Sequence, residues 1–245
     1  MNTPYDLTPH YLGIKIQYYR GIVKSIPNYS LWERSRGYYL HNCDTNKTYK
    51  ESTDAYQKEI AKYAYKKEIL DKLKVLESHW KVMHGKSFDE SFFNYKLTDL
   101  PNNTERLFGK WENLIEVPNT HTGKKHHFYN GKDYDSKSEA DIAKIYDELD
   151  IPVKHAAKIE IGMKFSSKPD FFPYIRERGK YLIHEHLGRM GDPDYVEDNL
   201  LKMKKYSNLG LIPGRDILYT FEDELSPGNF LYYKSQIAGF INANL

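Results

Sequence analysis

The strongest constraint on the fold is the order of elements between residues 137 and 224. SEADIAKIYDELD sets Ala140, Ile142, Ala143, Ile145, Tyr146 and Leu149 at helical spacing. IPVKHAAKIEIGM, SKPDFFPYI and YLIHEHLG then read as three strands, the last two joined by the tight turn RERGK. DPDYVEDNLLKMKKYSNLG reads as a helix ending at Gly210, and RDILYTFEDE as a fourth strand. A helix between the third and fourth strands acts as a crossover, which returns the chain to the same sheet. The expected fold class is α/β, with a mixed four-stranded core sheet flanked by helices.

The N-terminal half reads differently. Residues 54–83 carry Tyr56, Ile60, Tyr63, Leu70, Leu73, Leu76, Trp80 and Met83 at spacings of three, four and one seven, with Lys and Glu elsewhere. This is one apolar stripe on a helix roughly 45 Å long, with Asp54 as N-cap and Gly85 as stop. Upstream, YSLWERSRGYYLHNCDTNKTYK predicts a β-hairpin turning at Asp44-Thr45-Asn46-Lys47. LPNNTERLFGKWENL holds a short helix. VPNTHTGKKHHFYNGKDYDSK reads as a loop broken by Pro118, Gly123 and Gly131. The expected boundary lies in that loop. Residues 1–120 would be an accessory region for DNA grip, homodimerisation or a partner protein, and 121–245 the second domain.

Composition narrows the class. The 36 Lys+Arg nearly balance 34 Asp+Glu, and hydrophobic residues make up 40% of the chain, which excludes a polycation and opposes disorder. No apolar run is long enough to span a bilayer. MNTPYDLTPHY lacks the basic start and apolar centre of a secretory signal. Cys43 is the single cysteine, so an internal disulfide and a multi-cysteine zinc site are excluded. The expectation is a cytoplasmic protein with no membrane partner.

Three carboxylates occupy ordered places in the C-terminal half. Asp170 opens one strand, Glu185 lies inside the next, and Glu139 sits in the first turn of the preceding helix. Two adjacent antiparallel strands bring Asp170 and Glu185 side by side, where they repel unless a cation lies between them. A hard cation such as Mg²⁺, with Mn²⁺ able to substitute, suits oxygen ligands and the charge of a phosphoryl oxygen. The alternative is three ordinary surface acids, although Glu185 within a strand-like run would be costly if buried unpaired.

These residues carry a resemblance. The run from Ser138 to Glu224 resembles the PD-(D/E)XK nuclease superfamily, in which a helix acid precedes Pro-Asp on a strand, Glu-x-Lys on the next strand, and a helix with Lys or Gln four residues before Tyr. Glu139 in SKSEADIA, Pro169-Asp170 in SKPDFF, Glu185 in IHEHLG, and Lys202 and Tyr206 in LKMKKY match in order. The resemblance implies a restriction-endonuclease-like fold and a metal-dependent endonuclease that hydrolyses DNA. Asp170 and Glu185 would hold the metal, with Glu139 supporting it.

One position departs from the pattern. The lysine slot two residues after the strand acid is Leu187, on the same strand face as Glu185. Lys202 is expected to supply that charge from the helix, sharing a face with Tyr206, while Val196, Leu200 and Met203 form a second stripe for packing on the sheet. The departure leaves open a catalytically inactive fold serving as a DNA-binding or assembly subunit; an RNase is a weaker alternative, since the same chemistry accepts either backbone.

His184 and His186 share the opposite strand face. His121, His126 and His127 cluster in the preceding loop, and with a third ligand His184 and His186 would suit zinc. Otherwise they are packed, hydrogen-bonded residues. Lys124, Lys125, His126, His127 and Lys132 interleave with aromatics in TGKKHHFYNGK, a pattern that suits nucleic-acid contacts or a solvated linker.

Overall fold

A computed structural model describes residues 9–91, 102–118, 126–163 and 165–245. The chain divides into two compact units, Thr8–Lys96 and a second holding Leu97–Leu245. The division falls at Lys96 rather than near residue 120, because the segment before the loop belongs to the C-terminal core. Trp111 Nε1 donates to the Phe172 carbonyl at 2.8 Å, and Thr104 Oγ1 bonds the Tyr181 carbonyl.

The first unit comprises helix α1 (Pro9–Ser25), strands β1 (Tyr29–Arg34), β2 (Gly37–Asn42) and β3 (Lys47–Lys50), and helix α2 (Asp54–His84). The expected hairpin is β2–β3. A second turn at Ser35-Arg36 adds β1, giving an antiparallel three-stranded sheet. Helix α2 starts one residue off expectation: Thr53 is the N-cap and accepts from the Tyr56 amide at 3.2 Å. Gly85 ends it at φ 67°, a left-handed conformation that glycine adopts without a Cβ clash. The seven-residue gap in its stripe is filled by Lys66. This buried cation donates to the carbonyls of Ile26 and Pro27 at 2.7 and 3.2 Å and to Asn28 Oδ1 at 2.8 Å. Leu70 and Met83, expected inside, are 39% and 40% exposed. The facing apolar surface comes from α1, which the sequence reading left without an element.

The second unit contains α3 (Asn103–Phe108), a 3-10 turn (Trp111–Asn113), β4 (His127–Tyr129), β5 (Lys132–Tyr134), α4 (Lys137–Glu148), β6 (Val153–His155), β7 (Ile159–Ile161), β8 (Phe165–Ser167), β9 (Phe171–Ile175), β10 (Lys180–Tyr181), β11 (Ile183–Leu187), α5 (Pro193–Asn208), β12 (Ile217–Phe221) and α6 (Phe230–Ala243). β10 and β11 pair β9 in one continuous register, Tyr181 opposite Tyr174 and His184 opposite Phe171. They are one strand interrupted at Leu182. Because Phe171 also pairs His155, β6 must lie on the other edge of β9. The sheet therefore runs β6, β9, β10/β11, β12. Its first three members are antiparallel, and β12 is parallel to β11. This is a mixed α/β sheet with α5 as the crossover.

Helices cover both faces. Tyr206 of α5 joins Phe172, Ile183, Ile217, Leu211 and the β7–β8 hairpin residues Ile159 and Phe165 in one core. On the other face lie Tyr146 of α4 and Tyr233, Ile237 and Phe240 of α6, all buried. The expected packing stripe of α5 is corrected: Leu200 is 58% exposed, and Tyr206 is the helix's one buried residue. Part of the expected loop is the β4–β5 hairpin, turned by Asn130 and Gly131 at φ 48° and 77°. Asn-Gly is the pair that such a turn favours.

Candidate active site on the central strands

Continuing the β9–β11 register by one residue places Asp170 opposite Glu185. Pro169 lacks an amide hydrogen, and Asp170 follows it at the strand's entry, with its carbonyl accepting from Ala156 N at 2.8 Å. Asp170 Oδ2 accepts from the His186 amide at 2.7 Å. Glu185 is 1% exposed, and both its oxygens are engaged. Lys202 Nζ donates to Oε2 at 2.7 Å, and the Tyr206 hydroxyl to Oε1 at 2.5 Å. Ser167 Oγ lies 2.8 Å from the same hydroxyl. Four of the residues singled out in the sequence thus converge: Asp170 and Glu185 from adjoining strands, Lys202 and Tyr206 from the crossover helix.

The electrostatics are unbalanced. Burial pushes the Asp170 carboxyl well above the ordinary carboxylate range, and the Glu185 and Glu139 charges add to the rise. The Lys202 ammonium and the His186 amide oppose it without cancelling it. Burial, then the Glu185 charge, drive the Tyr206 phenol far up, so it remains a hydrogen-bond donor. The Lys202 side chain is 30% exposed, which keeps one side of the site open to solvent.

The slot for the strand lysine is filled by Leu187, 2% exposed, so the cation on Glu185 arrives from α5. A face of α5 explains how. Tyr195, Asn199, Lys202 and Tyr206 recur at helical spacing toward the sheet. Tyr195 and Asn199 were missed in the sequence reading. The Tyr195 phenol is raised by burial and by the Asp170 charge, and it is hydrogen-bonded to the Gly188 backbone and Asn199. Its signal was the repeat itself.

Glu139 occupies a more structural position than expected. Ser136 N-caps α4, its Oγ accepting from Glu139 N at 3.1 Å, while the Glu139 carboxylate accepts from Ser136 Oγ at 3.1 Å and Asp135 N at 3.3 Å. His155 Nε2 lies 3.0 Å from Glu139 Oε2. This is a variant of the capping box, closed on the Asp135 amide rather than on that of the N-cap, with a histidine attached. Among the described residues, no three His, Cys, Asp or Glu side chains are grouped so as to hold one metal ion. A divalent cation between Asp170 and Glu185 would complete its shell with water, as Mg²⁺ commonly does. The donor chemistry fits: two carboxylates on adjoining central strands, one of them destabilised as an anion.

The histidines take the packed reading. His184 Nδ1 is 2.8 Å from the Tyr146 hydroxyl and its Nε2 2.8 Å from Thr220 Oγ1. His186 Nδ1 is 3.0 Å from the same Thr220 oxygen, and its Nε2 3.1 Å from Glu222 Oε1. Of the expected basic patch, Lys124 and Lys125, with His121, lie outside the described residues. His126 Nδ1 pairs Asp133 at 2.6 Å and Lys132 Nζ pairs Glu116 at 2.7 Å. His127 is backbone-paired to Tyr134 within the hairpin. Two of the expected phosphate contacts are thus already matched by acids.

Among the described residues, no helix is long and apolar enough to cross a membrane. No protein-family model, curated protein or solved structure gives a significant match to the chain.

Proposed function

We infer that the C-terminal unit is a metal-dependent endonuclease that hydrolyses phosphodiester bonds in DNA, with a restriction-endonuclease-like core. One observation carries this reading: Asp170 stands opposite Glu185 while Lys202 and Tyr206 of the crossover helix both bond the Glu185 carboxylate. The order Glu139, Pro169-Asp170, Glu185, Lys202, Tyr206 resembles the PD-(D/E)XK pattern and supports the same conclusion.

Asp170 and Glu185 would hold Mg²⁺ or Mn²⁺, which when bound stabilises charge on a phosphoryl oxygen and lowers the pKa of a bound water. Tyr206 fixes the Glu185 carboxylate and stays protonated. Lys202, which bonds the Glu185 carboxylate at 2.7 Å, would supply positive charge toward the attacking water and the developing phosphorane. Glu139 acts through His155 and the α4 cap rather than as a ligand.

A second reading rests on the same contacts. Lys202 already neutralises Glu185, so that acid needs no metal. The fold would then be an inactive DNA-binding or assembly subunit. Incubation with supercoiled plasmid and Mg²⁺ or Mn²⁺ separates the two, with Asp170→Ala as control. Metal-dependent nicking lost in the variant supports the hydrolase. Plasmid left intact while DNA is still bound supports the inactive subunit. Cleavage of single-stranded RNA alone would reassign the substrate.

A further inference from the structure

The three-stranded sheet of the N-terminal unit has one face against α2 and one away from it. Tyr29 and Leu40 define the inner face. The Tyr29 hydroxyl bonds Glu59 of α2 at 2.5 Å, and Leu40 is fully buried. Strand alternation puts Trp32 and Arg34 of β1 on the opposite face. The pairing register adds Tyr39 and His41 of β2, with Lys50 of β3 opposite Tyr39.

These side chains are already stacked. The Trp32 and His41 rings lie 4.7 Å apart and nearly parallel, at 14°. The Arg34 guanidinium sits 5.0 Å from the Trp32 ring centre and 5.4 Å from that of Tyr39. Thr48 Oγ1, 3.0 Å from His41 Nδ1, orients the imidazole. Such a ladder contributes to sheet stability by itself. Two further features exceed that role. Among the described residues, neither Arg34 nor Lys50 has an acidic partner, and the register places no Asp or Glu on this face between Ser30 and Lys50. Arg34 therefore keeps its N–H groups open while its guanidinium carbon sits over two rings.

We propose that this face is a binding platform for single-stranded nucleic acid, with bases stacking on the Trp32–Arg34–Tyr39–His41 ladder and phosphates meeting Arg34 and Lys50. Charge selects a polyanion over an uncharged sugar chain. The exposed Arg34 guanidinium, seated over the Trp32 and Tyr39 rings, offers a stacking surface that selects splayed bases over a duplex, whose bases are already stacked. The platform belongs to the N-terminal unit and the acid site to the C-terminal one, and it does not depend on that site's chemistry.

The test uses the full chain in chelator, where no cleavage occurs, and a fluorescein-labelled oligothymidine with a matched duplex competitor. Anisotropy should report single-strand binding that weakens with salt. Arg34→Ala should lower affinity by about tenfold and flatten the salt dependence by roughly one phosphate contact. Trp32→Leu should lower it by a similar factor, and Lys50→Gln, which leaves the ladder untouched, by about threefold. Circular dichroism and Tm establish that each variant folds. No binding at low salt, unchanged affinity in folded Arg34→Ala and Lys50→Gln, or duplex preferred over single strand would each overturn the assignment. Loss of metal-dependent cleavage with intact platform binding would sink the hydrolase reading alone.

Discussion

Glu185 and its neighbours His184 and His186 sit side by side on β11 and face opposite sides of one sheet. On the histidine side a single chain of hydrogen bonds runs from Tyr146 through His184, Thr220 and His186 to Glu222. Burial and the His186 charge hold the His184 imidazole well below its ordinary pKa, so it stays neutral. Burial also works against ionised Glu222, but hydrogen bonds from Ser138, Tyr233, His186 and Gly228 keep its carboxyl below the usual range. On the Glu185 side two acids face one lysine, and Asp170 is left costly to ionise. Both sides are buried and polar. One is matched donor to acceptor, which is how a fold accommodates polar groups. The other sets two acids against one lysine, so that Asp170 is costly to ionise unless a further cation joins it.

That contrast breaks most visibly in activity. Asp170→Asn should reduce metal-dependent plasmid cleavage by roughly a thousandfold or more, measured as nicking rate. Lys202→Ala should reduce cleavage by about a hundredfold or more while DNA affinity stays nearly constant. Undiminished cleavage would remove Lys202 from the chemistry.

The histidine side should respond in stability. Thr220→Val keeps the shape but leaves both imidazoles without a shared partner, at a cost of about 2–3 kcal/mol read from denaturant unfolding. Its effect on cleavage per folded molecule should be smaller than that of any change on the acid side. A change confined to activity would contradict a structural ladder.

The smallest effect sharpens the comparison by pH. Asp170 has a raised folded-state pKa, so the folded chain holds a proton that the unfolded chain releases. Its contribution to stability is present below the unfolded value and is lost as pH rises through the folded value. Metal-free protein should therefore lose stability as pH rises across that window, and Asp170→Asn should flatten the loss. At neutral pH the variant should melt about 3 °C higher in chelator, the shift that ~1 kcal/mol gives a domain of this size.

Much of this arrangement was legible in the sequence, for local reasons. Helix α2 announces itself through period, N-cap and stop glycine, and the crossover order dictates the mixed sheet. Lys202 and Tyr206 could be placed beside Glu185 because four residues separate them on one helix. Helix α1 escaped because Leu12, Ile14 and Ile16 alternate with Gly13 and Lys15, a strand-like period, although the whole stretch from Tyr11 to Ile16, Lys15 included, is buried. The burial of Lys66 broke the α2 stripe because its partners are carbonyls forty residues away, which no local pattern records. Glu139 carries the signature of an N-terminal helix cap as well as that of a site acid, and sequence alone gives both readings the same letters.

The most direct measurement is calorimetric titration of the metal-free chain with Mn²⁺ at neutral pH, beside folded Asp170→Asn and Glu185→Gln. A shared ion predicts one saturable site in the native chain, lost or severely weakened in both variants. Equal binding in all three proteins, or none in the native chain, would contradict a cation held between these two strands.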